Sequence, residues 1–396
     1  MDTFNEKGDT LSKPILIISD APSCTSGLGR ITRDLATRIA TDPDMKKEGI
    51  RIATAGYGGP GNKSFPFHEY HFNGIEGWQL PELPIIAEDF AAGEELVLWW
   101  IWDASRIGWV ARETESAYPF VSSWMKEAKV KKWIYAPVDA YGPNGTLSHK
   151  LSANLKAFDR VLNYTPFSAA VTGYHDFIPH GIDTSVFHPR DKKEARDRLI
   201  SSGFPAGRDS TVIGIVATNQ NRKDWGRAFD TISYLIHDGM DIRVWCHTDV
   251  IERYWSIPNL VEDFGLQGKV AITTSNFSDE QMSWMYSACD LTLGIGLGEG
   301  FGYPIFESMA CGVPCVHGDY AGAAGFLPGE YLVTPNGWRW EGPFCNRRPN
   351  YSSSVWANVI RRALGTKHLA ILPRGLDWAG PELWPKWKEW ILKGVK

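Results

Sequence analysis

The sequence predicts an α/β protein built from two doubly wound, Rossmann-like domains that face each other across a cleft. Three observations carry this expectation. Short apolar runs of strand length alternate with helical segments along the chain. The alternation occurs twice, with a charged, Gly- and Pro-containing stretch at 189–210 between the two series, which suggests a linker. The chain has 396 residues, enough for two domains of ordinary size.

The first series opens with an apolar strand at 15–19. A helix follows, with Ile31, Leu35, Ile39 and Ala40 on one face. A second strand is expected at 51–55. Residues 56–66 form a Gly/Pro-rich loop, and the irregular segment up to Leu80 suggests a hairpin. Further buried strands are expected at 96–101, 132–138, 161–164 and 177–178. The second series opens at 211–217 and continues with a helix over 225–237 and strands at 242–246 and 270–273. A helix over 279–287 and a strand at 291–293 follow. At the end of the chain, Trp384, Trp387 and Ile391 are spaced to share one helix stripe.

Composition narrows the function. Hydrophobic content is 43% and charged content 22%, as in soluble globular proteins. No run approaches the ~18 apolar residues of a membrane span. Residues 1–13 are polar and lack the apolar core of a signal peptide, so cytoplasmic residence is expected. The six cysteines form no Cys-x-x-Cys pair and mostly sit in apolar runs, which suggests reduced, buried thiols. Cys311 and Cys315 have no His at ligand spacing, which argues against zinc. A net charge of −5 gives no global drive toward nucleic acid and leaves a local basic groove open. The 18 tryptophans are core and interface candidates, and their faces also suit sugar rings and bases.

The densest signal is Glu299-Gly-Phe-Gly-Tyr-Pro-Ile-Phe-Glu307. An apolar strand precedes it. Pro304 suits the first turn of a helix, and Gly312 with Pro314 ends that helix. Glu299 is thus expected on a loop at the carboxyl end of a strand, and Glu307 about one turn into the next helix. The backbone N–H groups of Gly300, Phe301 and Gly302 would face the same crevice, a natural phosphate cradle. One carboxylate can then accept from sugar hydroxyls (Glu299) and the other from a ribose diol (Glu307). The plain alternative is a Gly-rich turn before an ordinary helix with a solvated Glu.

The stretch Gly-Glu-Gly-Phe-Gly-Tyr-Pro followed by Glu-Ser-Met-Ala-Cys-Gly-Val-Pro-Cys-Val, residues 298–316, resembles the retaining GT-B-fold glycosyltransferases of the family 4, or glycosyl transferases group 1, type. The resemblance is strong over 170–330, fair over 14–45 and weak over 56–130. It implies a GT-B architecture: residues 1–182 as the acceptor-side domain, 183–372 as the nucleotide-sugar domain, and 373–396 crossing back onto the first. It also implies transfer with retention from a nucleoside diphosphate sugar, with UDP or GDP as the expected nucleotide, to a hydroxyl acceptor. No separate cofactor is expected. No metal is expected.

Other motifs take their meaning beside this one. Gly27-Leu-Gly29-Arg30 follows a strand and opens a helix; in the resembled family this loop faces the donor, and alone it is a tight turn. Arg30 is an acceptor or phosphate contact, or a plain first-turn residue. Arg222 and Lys223 follow the first strand of the second series, where fixed cations would stabilise a departing diphosphate. Lys223 matches the family's Lys, whereas Thr218 stands at its usual Arg position and Arg222 is the candidate replacement. His180, in Pro-His-Gly-Ile-Asp, is expected to be a positioned hinge residue rather than a base. Asp103 and Asp139 end strands of the first series, and many family members carry a sugar-contacting His near the position of Asp139. Each is a sugar or acceptor contact, or a helix cap, with Arg106 as a partner. His247-Thr248 and 274–278 should border the nucleotide pocket, although Ser278 is also an N-cap.

The acceptor is not legible. A glycan, a lipid-linked intermediate or a small molecule is the default. A membrane-bound acceptor would suit the cluster Lys126, Lys129, Lys131 and Lys132, which a charged helix face explains equally well. A hydroxymethylated base in DNA is the sharper alternative, and a sugar-nucleotide-binding protein without transfer is the non-catalytic one. The oligomeric state is open.

Overall fold

The structure is a computed structural model that describes residues 12–58, 61, 63–72, 80–128, 130–207, 209–274, 276–366 and 369–396. The first sheet contains six strands: β1 (Lys13–Asp20), β2 (Ile50–Tyr57), β3 (His68–His71), β4 (Leu96–Trp100), β5 (Val130–Ala136) and β6 (Arg160–Asn163). The second contains β7 (Thr211–Val216), β8 (Ile242–His247), β9 (Val270–Thr273), β10 (Leu291–Gly294), β11 (Cys315–Gly318) and β12 (Leu332–Val333). Every ladder in both sheets is parallel.

The strand orders are β3-β2-β1-β4-β5-β6 and β12-β11-β10-β7-β8-β9. Counted from its own first strand, each sheet has the same doubly wound order. Helices cover both faces, so the central strands are apolar throughout; Ile15 to Ile18 and Leu98 to Trp100 are fully buried. In this topology the order reverses between β1 and β4, and again between β7 and β10. The loops leaving the carboxyl ends of those strands frame a crevice where ligands bind. The 298–302 and 217–223 motifs both leave the second switch point.

The terminal helix Leu383–Val395 returns to the first sheet. Trp387 packs against Tyr135 at 5.0 Å and Trp99 at 6.0 Å, and Trp390 against Trp133 at 5.0 Å. The guanidinium of Arg160 lies 3.9 Å over the Trp390 ring. Trp384, on the expected stripe, donates to Asp42 at 2.8 Å, and Lys388 pairs with Asp44 at 2.6 Å. Where the chain crosses between domains, Ile182 N–H donates to Leu376 and Trp378 N–H to Ile182. Gly181 lies against the Trp378 ring, leaving no room for a Cβ.

Several expectations are corrected. Residues 189–210 are not a plain linker: Lys192–Ser201 is a helix, capped by Asp191 and tied to the second domain by Arg196–Asp290 at 2.8 Å. Its many charges hide the buried Ala195 and Leu199. The hairpin expected before Leu80 is replaced, where described, by β3, which pairs parallel with β2; 59–60, 62 and 73–79 lie outside the described residues. Residues 177–178 contribute one bridge, Asn163 to Phe177, rather than a strand. Two members of the lysine cluster are paired, Lys126 with Glu113 at 2.9 Å and Lys131 with Glu95 at 3.2 Å. Lys129 and most of the polar 1–13 segment lie outside the described residues. No helix among the described residues is long and apolar enough to cross a membrane.

Candidate active site

Glu299 leaves β10 on a turn that glycines make possible. Gly298 has φ 143° and Gly302 φ 93°, both unfavourable for a side chain. Gly298 also lies so close to the Asp139 carbonyl of the opposite domain that a Cβ would collide with it. Gly302 precedes the Tyr303–Ala310 helix and gives it no side-chain cap. The helix start therefore presents backbone donors and the positive end of its dipole to the crevice.

The cations of the 217–223 loop meet Glu299 directly. Lys223 forms an ion pair with Oε1, and Arg222 Nη1 lies 3.3 Å from Oε2. Arg222 also donates to the Gly298 carbonyl at 2.9 Å, and its own carbonyl accepts from Leu297 N–H at 2.8 Å. Burial would push the Glu299 carboxyl up, but Lys223 and Arg222 outweigh it and hold the group at about 2. Burial pulls the Lys223 ammonium down, and Glu299 opposes that pull. The loop is fixed from behind by Asn219, which is fully buried. Its side chain donates to Val250 and Trp255 carbonyls at 3.1 and 2.8 Å and accepts from Trp255 N–H at 3.0 Å. Thr218, at the family's usual Arg position, is exposed.

Glu307 has a different environment. Its Oε1 takes an ion pair from Arg30 of the first domain, and its Oε2 accepts from the Tyr286 hydroxyl at 2.8 Å. Arg30 is the residue after Gly27-Leu-Gly29, so the first domain reaches into the second at this point. Its guanidinium lies 4.6 Å over the Tyr303 ring. Burial pushes the Glu307 carboxyl up, with Arg30 and the Tyr286 bond working against it. A cavity beside Glu299 is lined by Val216, Lys223, Tyr286, Gly294, Glu299 and Ile305; Glu307 and Arg30 do not line it.

The remaining candidates divide. Gly29 packs tightly, 2.6 Å from Ala21 O for an added Cβ, and its N–H is taken by the Ser26 cap at 3.0 Å; Gly27 lies opposite Tyr303. The Phe301 side chain is buried against His180 and Phe306, so its ring belongs to the core. Asp139 caps no helix. It pairs across the cleft with Arg348 at 3.2 Å and Arg222 at 3.5 Å, while Asp103 lies 3.8 Å from Arg106. His180 accepts or donates at 2.9 Å with Tyr135, stacks on Tyr303, and is held neutral by burial, in keeping with a positioning role. His247 stacks on Phe277 beside a cavity of about 330 Å³ that Trp245, Thr273, Phe277 and Trp284 help to line. That cavity shares no lining residue with the one at Glu299.

Two residues escaped the sequence analysis. Arg348 lies on an antiparallel hairpin, β13 (Gly337–Glu341) and β14 (Asn346–Asn350), and donates to the Asp139 carbonyl at 2.7 Å. Its signal was the alternating Trp-Arg-Trp-Glu and Arg-Arg-Pro pattern around a Gly-Pro turn. His317 is the penultimate residue of β11 and lies 2.5 Å from the Gly294 carbonyl through Nδ1, with its buried Nε2 unpartnered among the described residues. A His at the carboxyl end of a buried strand beside β10 was the available clue.

Comparison with known proteins now bears on this geometry. Sucrose-phosphate synthase from Thermosynechococcus elongatus superposes with TM-score 0.67 at 16% identity, covering 97% of this chain and 100% of that one. Anabaena HepE in complex with UDP and glucose gives TM-score 0.66 at 15% identity, covering 97% and 99%. The fold is GT-B. Within it, residues 255–338, which include Glu299 and Glu307, match the family model described as glycosyl transferases group 1. D-inositol 3-phosphate glycosyltransferase from Streptosporangium roseum is 26% identical over 229 residues, 54% of this chain and 51% of that protein. The chain thus spans about half the length of the curated relatives it matches. The family model and the curated relatives describe glycosyltransferases, and the GT-B switch point of the second domain is where Glu299 meets its two cations.

Proposed function

We propose that this chain is a retaining glycosyltransferase that moves a sugar from a nucleoside diphosphate sugar to a hydroxyl acceptor. The observation that carries the reading is Glu299, held ionised between Lys223 and Arg222 at the switch point beside an uncapped helix start. The UDP in the HepE complex and the activity named for the S. roseum relative support the same reading.

The chemistry follows from the charges. As the glycosidic C–O bond breaks, negative charge grows on the diphosphate. Arg222, Lys223 and the backbone donors at 300–303 are fixed there before reaction, so they stabilise the transition state without reorganising. Glu299, acceptor-only at neutral pH, binds donor-sugar hydroxyls and balances the two cations. Glu307 accepts from the ribose diol through the lone pairs that Arg30 and Tyr286 leave open. The acceptor oxygen forms its bond on the face the diphosphate leaves, and its proton passes to the departing phosphate oxygen. No buried base is required for that step.

The test is melting of the protein with UDP-, GDP-, ADP- and dTDP-sugars, for wild type and Lys223→Met. A nucleotide at a hundred times its dissociation constant should add about 2.7 kcal/mol. One nucleotide that stabilises wild type and fails on a folded Lys223→Met supports the site. No stabilisation by any of them at millimolar concentration sinks the reading. With a binding nucleotide in hand, the anomeric coupling in the product's proton spectrum decides retention.

A further inference from the structure

We propose that the β13–β14 hairpin is an acceptor subsite that takes a sugar ring on the indole faces of Trp338 and Trp340. The inference rests on the glycosyl-transfer reading and adds the class of acceptor and where it binds.

Trp338 and Trp340 are 40% and 59% exposed, and they are the only exposed tryptophans among the described residues. Elsewhere this chain buries its indoles; Trp99, Trp133, Trp245 and Trp387 are at or near zero exposure. Leaving two large apolar rings partly in water forgoes burial, so their position calls for a covering partner. They stand two residues apart on one strand and therefore face the same way, about 7 Å from each other. Their cross-strand neighbours on that face are Pro349 and Arg347.

The platform is rigid, and both domains build it. Arg347 N–H donates to the Tyr141 carbonyl at 2.7 Å, and the Tyr320 hydroxyl donates to the Arg347 carbonyl. Tyr141 N–H in turn donates to the Tyr320 hydroxyl at 3.2 Å. The Trp338 ring is flanked by Tyr320 at 5.5 Å and Tyr141 at 6.1 Å, with the Arg347 guanidinium 4.7 Å over it. The opposite face of the same hairpin carries Arg348, which reaches Asp139 and the Leu297 carbonyl, two residues before Glu299. One face thus braces the reaction centre while the other offers indoles to solvent.

The chemistry favours a saccharide. A pyranose presents a face of C–H groups that suits the negative face of an indole. Arg347 supplies planar donors for hydroxyls at the ring edge. A nucleic acid would need a row of uncompensated cations. Of the four residues on the indole face only Arg347 is a cation, and the chain as a whole carries −5.

Saturation-transfer NMR tests this with methyl α-mannopyranoside, methyl β-glucopyranoside, maltotriose and a short oligothymidylate, in the presence of UDP and GDP. Wild type, Trp340→Ala and the Trp338→Ala/Trp340→Ala double variant are compared, with nucleotide-induced melting shifts recorded on each. Trp340→Ala removes an exposed ring and keeps the hairpin's backbone bonds. The expected result is contact with at least one saccharide, weakened about tenfold or more in Trp340→Ala, or roughly 1.4 kcal/mol, with the nucleotide shift unchanged. The proposal is overturned if saccharide contact survives in the double variant. It is also overturned if only oligothymidylate binds, or if no saccharide binds to a protein that UDP or GDP stabilises. Saccharide contact that depends on Trp340 in a protein no nucleotide stabilises would keep the platform and defeat the donor reading.

Discussion

Glu299 and Glu307 lie on the same loop and helix, eight positions apart, yet the structure gives them opposite electrostatics. Glu299 is paired by Lys223 and Arg222, both from its own domain, and is held at about 2. Glu307 is paired by Arg30 from the other domain, and burial pushes its carboxyl up. Spacing alone would make the two carboxylates equivalent. Two cations outweigh burial at Glu299, one cation and a tyrosine do not at Glu307, and the two sites draw their cations from different domains. The ion pairs to Glu299 lie within the second domain and should survive opening of the cleft, which takes from Arg222 only its contact with Asp139. The Glu307 site exists only while the domains touch, so it is suited to report closure.

The largest effect should come from breaking the self-contained half. Glu299→Gln leaves buried Lys223 without its anion and Arg222 with only Asp139, at a cost of about 3 kcal/mol of stability. Transfer should fall on the order of a hundredfold or more, measured as kcat/KM with whichever nucleotide sugar binds. The pH dependence sharpens the contrast. A carboxyl whose folded value lies near 2 contributes stability that is full above its unfolded value near 4.5 and is lost as pH falls toward 2. A carboxyl raised in the fold does the reverse, favouring the fold more as it protonates. Denaturant unfolding at pH 6 and pH 3.5 should therefore show the acid-side loss shrinking in Glu299→Gln and not in Glu307→Gln.

A smaller effect is expected at the shared half. Arg30→Met should cost about 2 kcal/mol, limited because Glu307 can protonate once its partner is gone. Solution scattering should show a more open particle. An unchanged radius of gyration would remove Arg30 from the role of latch. The smallest effect is at the cleft rim. Asp139 is half-buried, and Asp139→Asn should cost about 1 kcal/mol with modest opening by the same measurement.

The same division explains what was legible in the sequence. The second domain could be followed from β7 to the Tyr303–Ala310 helix, apart from the Ile257–Asp263 helix, because its strands are apolar on both faces and its glycines sit where the turns require them; β11, β12, the hairpin and the Ser353–Leu364 helix were not read. Glu299, Arg222 and Lys223 converge because one topology brings the ends of β7 and β10 together. The partners across the cleft could not be read. Arg30 and Glu307 are 277 residues apart, and so nothing local links them. Asp139 had strand-end position in its favour, but its partner Arg348 lies in a polar stretch that lacks apolar periodicity. The Lys192–Ser201 helix was hidden for a related reason: its charges outnumber its two buried apolar residues. Phe301 lay inside a binding motif, and only packing reveals that its ring belongs to the core.

The most direct test of the contrast is a carboxyl titration. Glutamate labelled with ¹³C at the side-chain carboxyl, assigned through Glu299→Gln and Glu307→Gln, would be followed from pH 7 to pH 3.5. The account expects the Glu299 resonance to stay in its ionised position throughout, and the Glu307 resonance to titrate with a midpoint above the ordinary glutamate value. Glu299 titrating at or above 4.5 would contradict it, because Lys223 and Arg222 would then not be holding that carboxylate as a fixed anion.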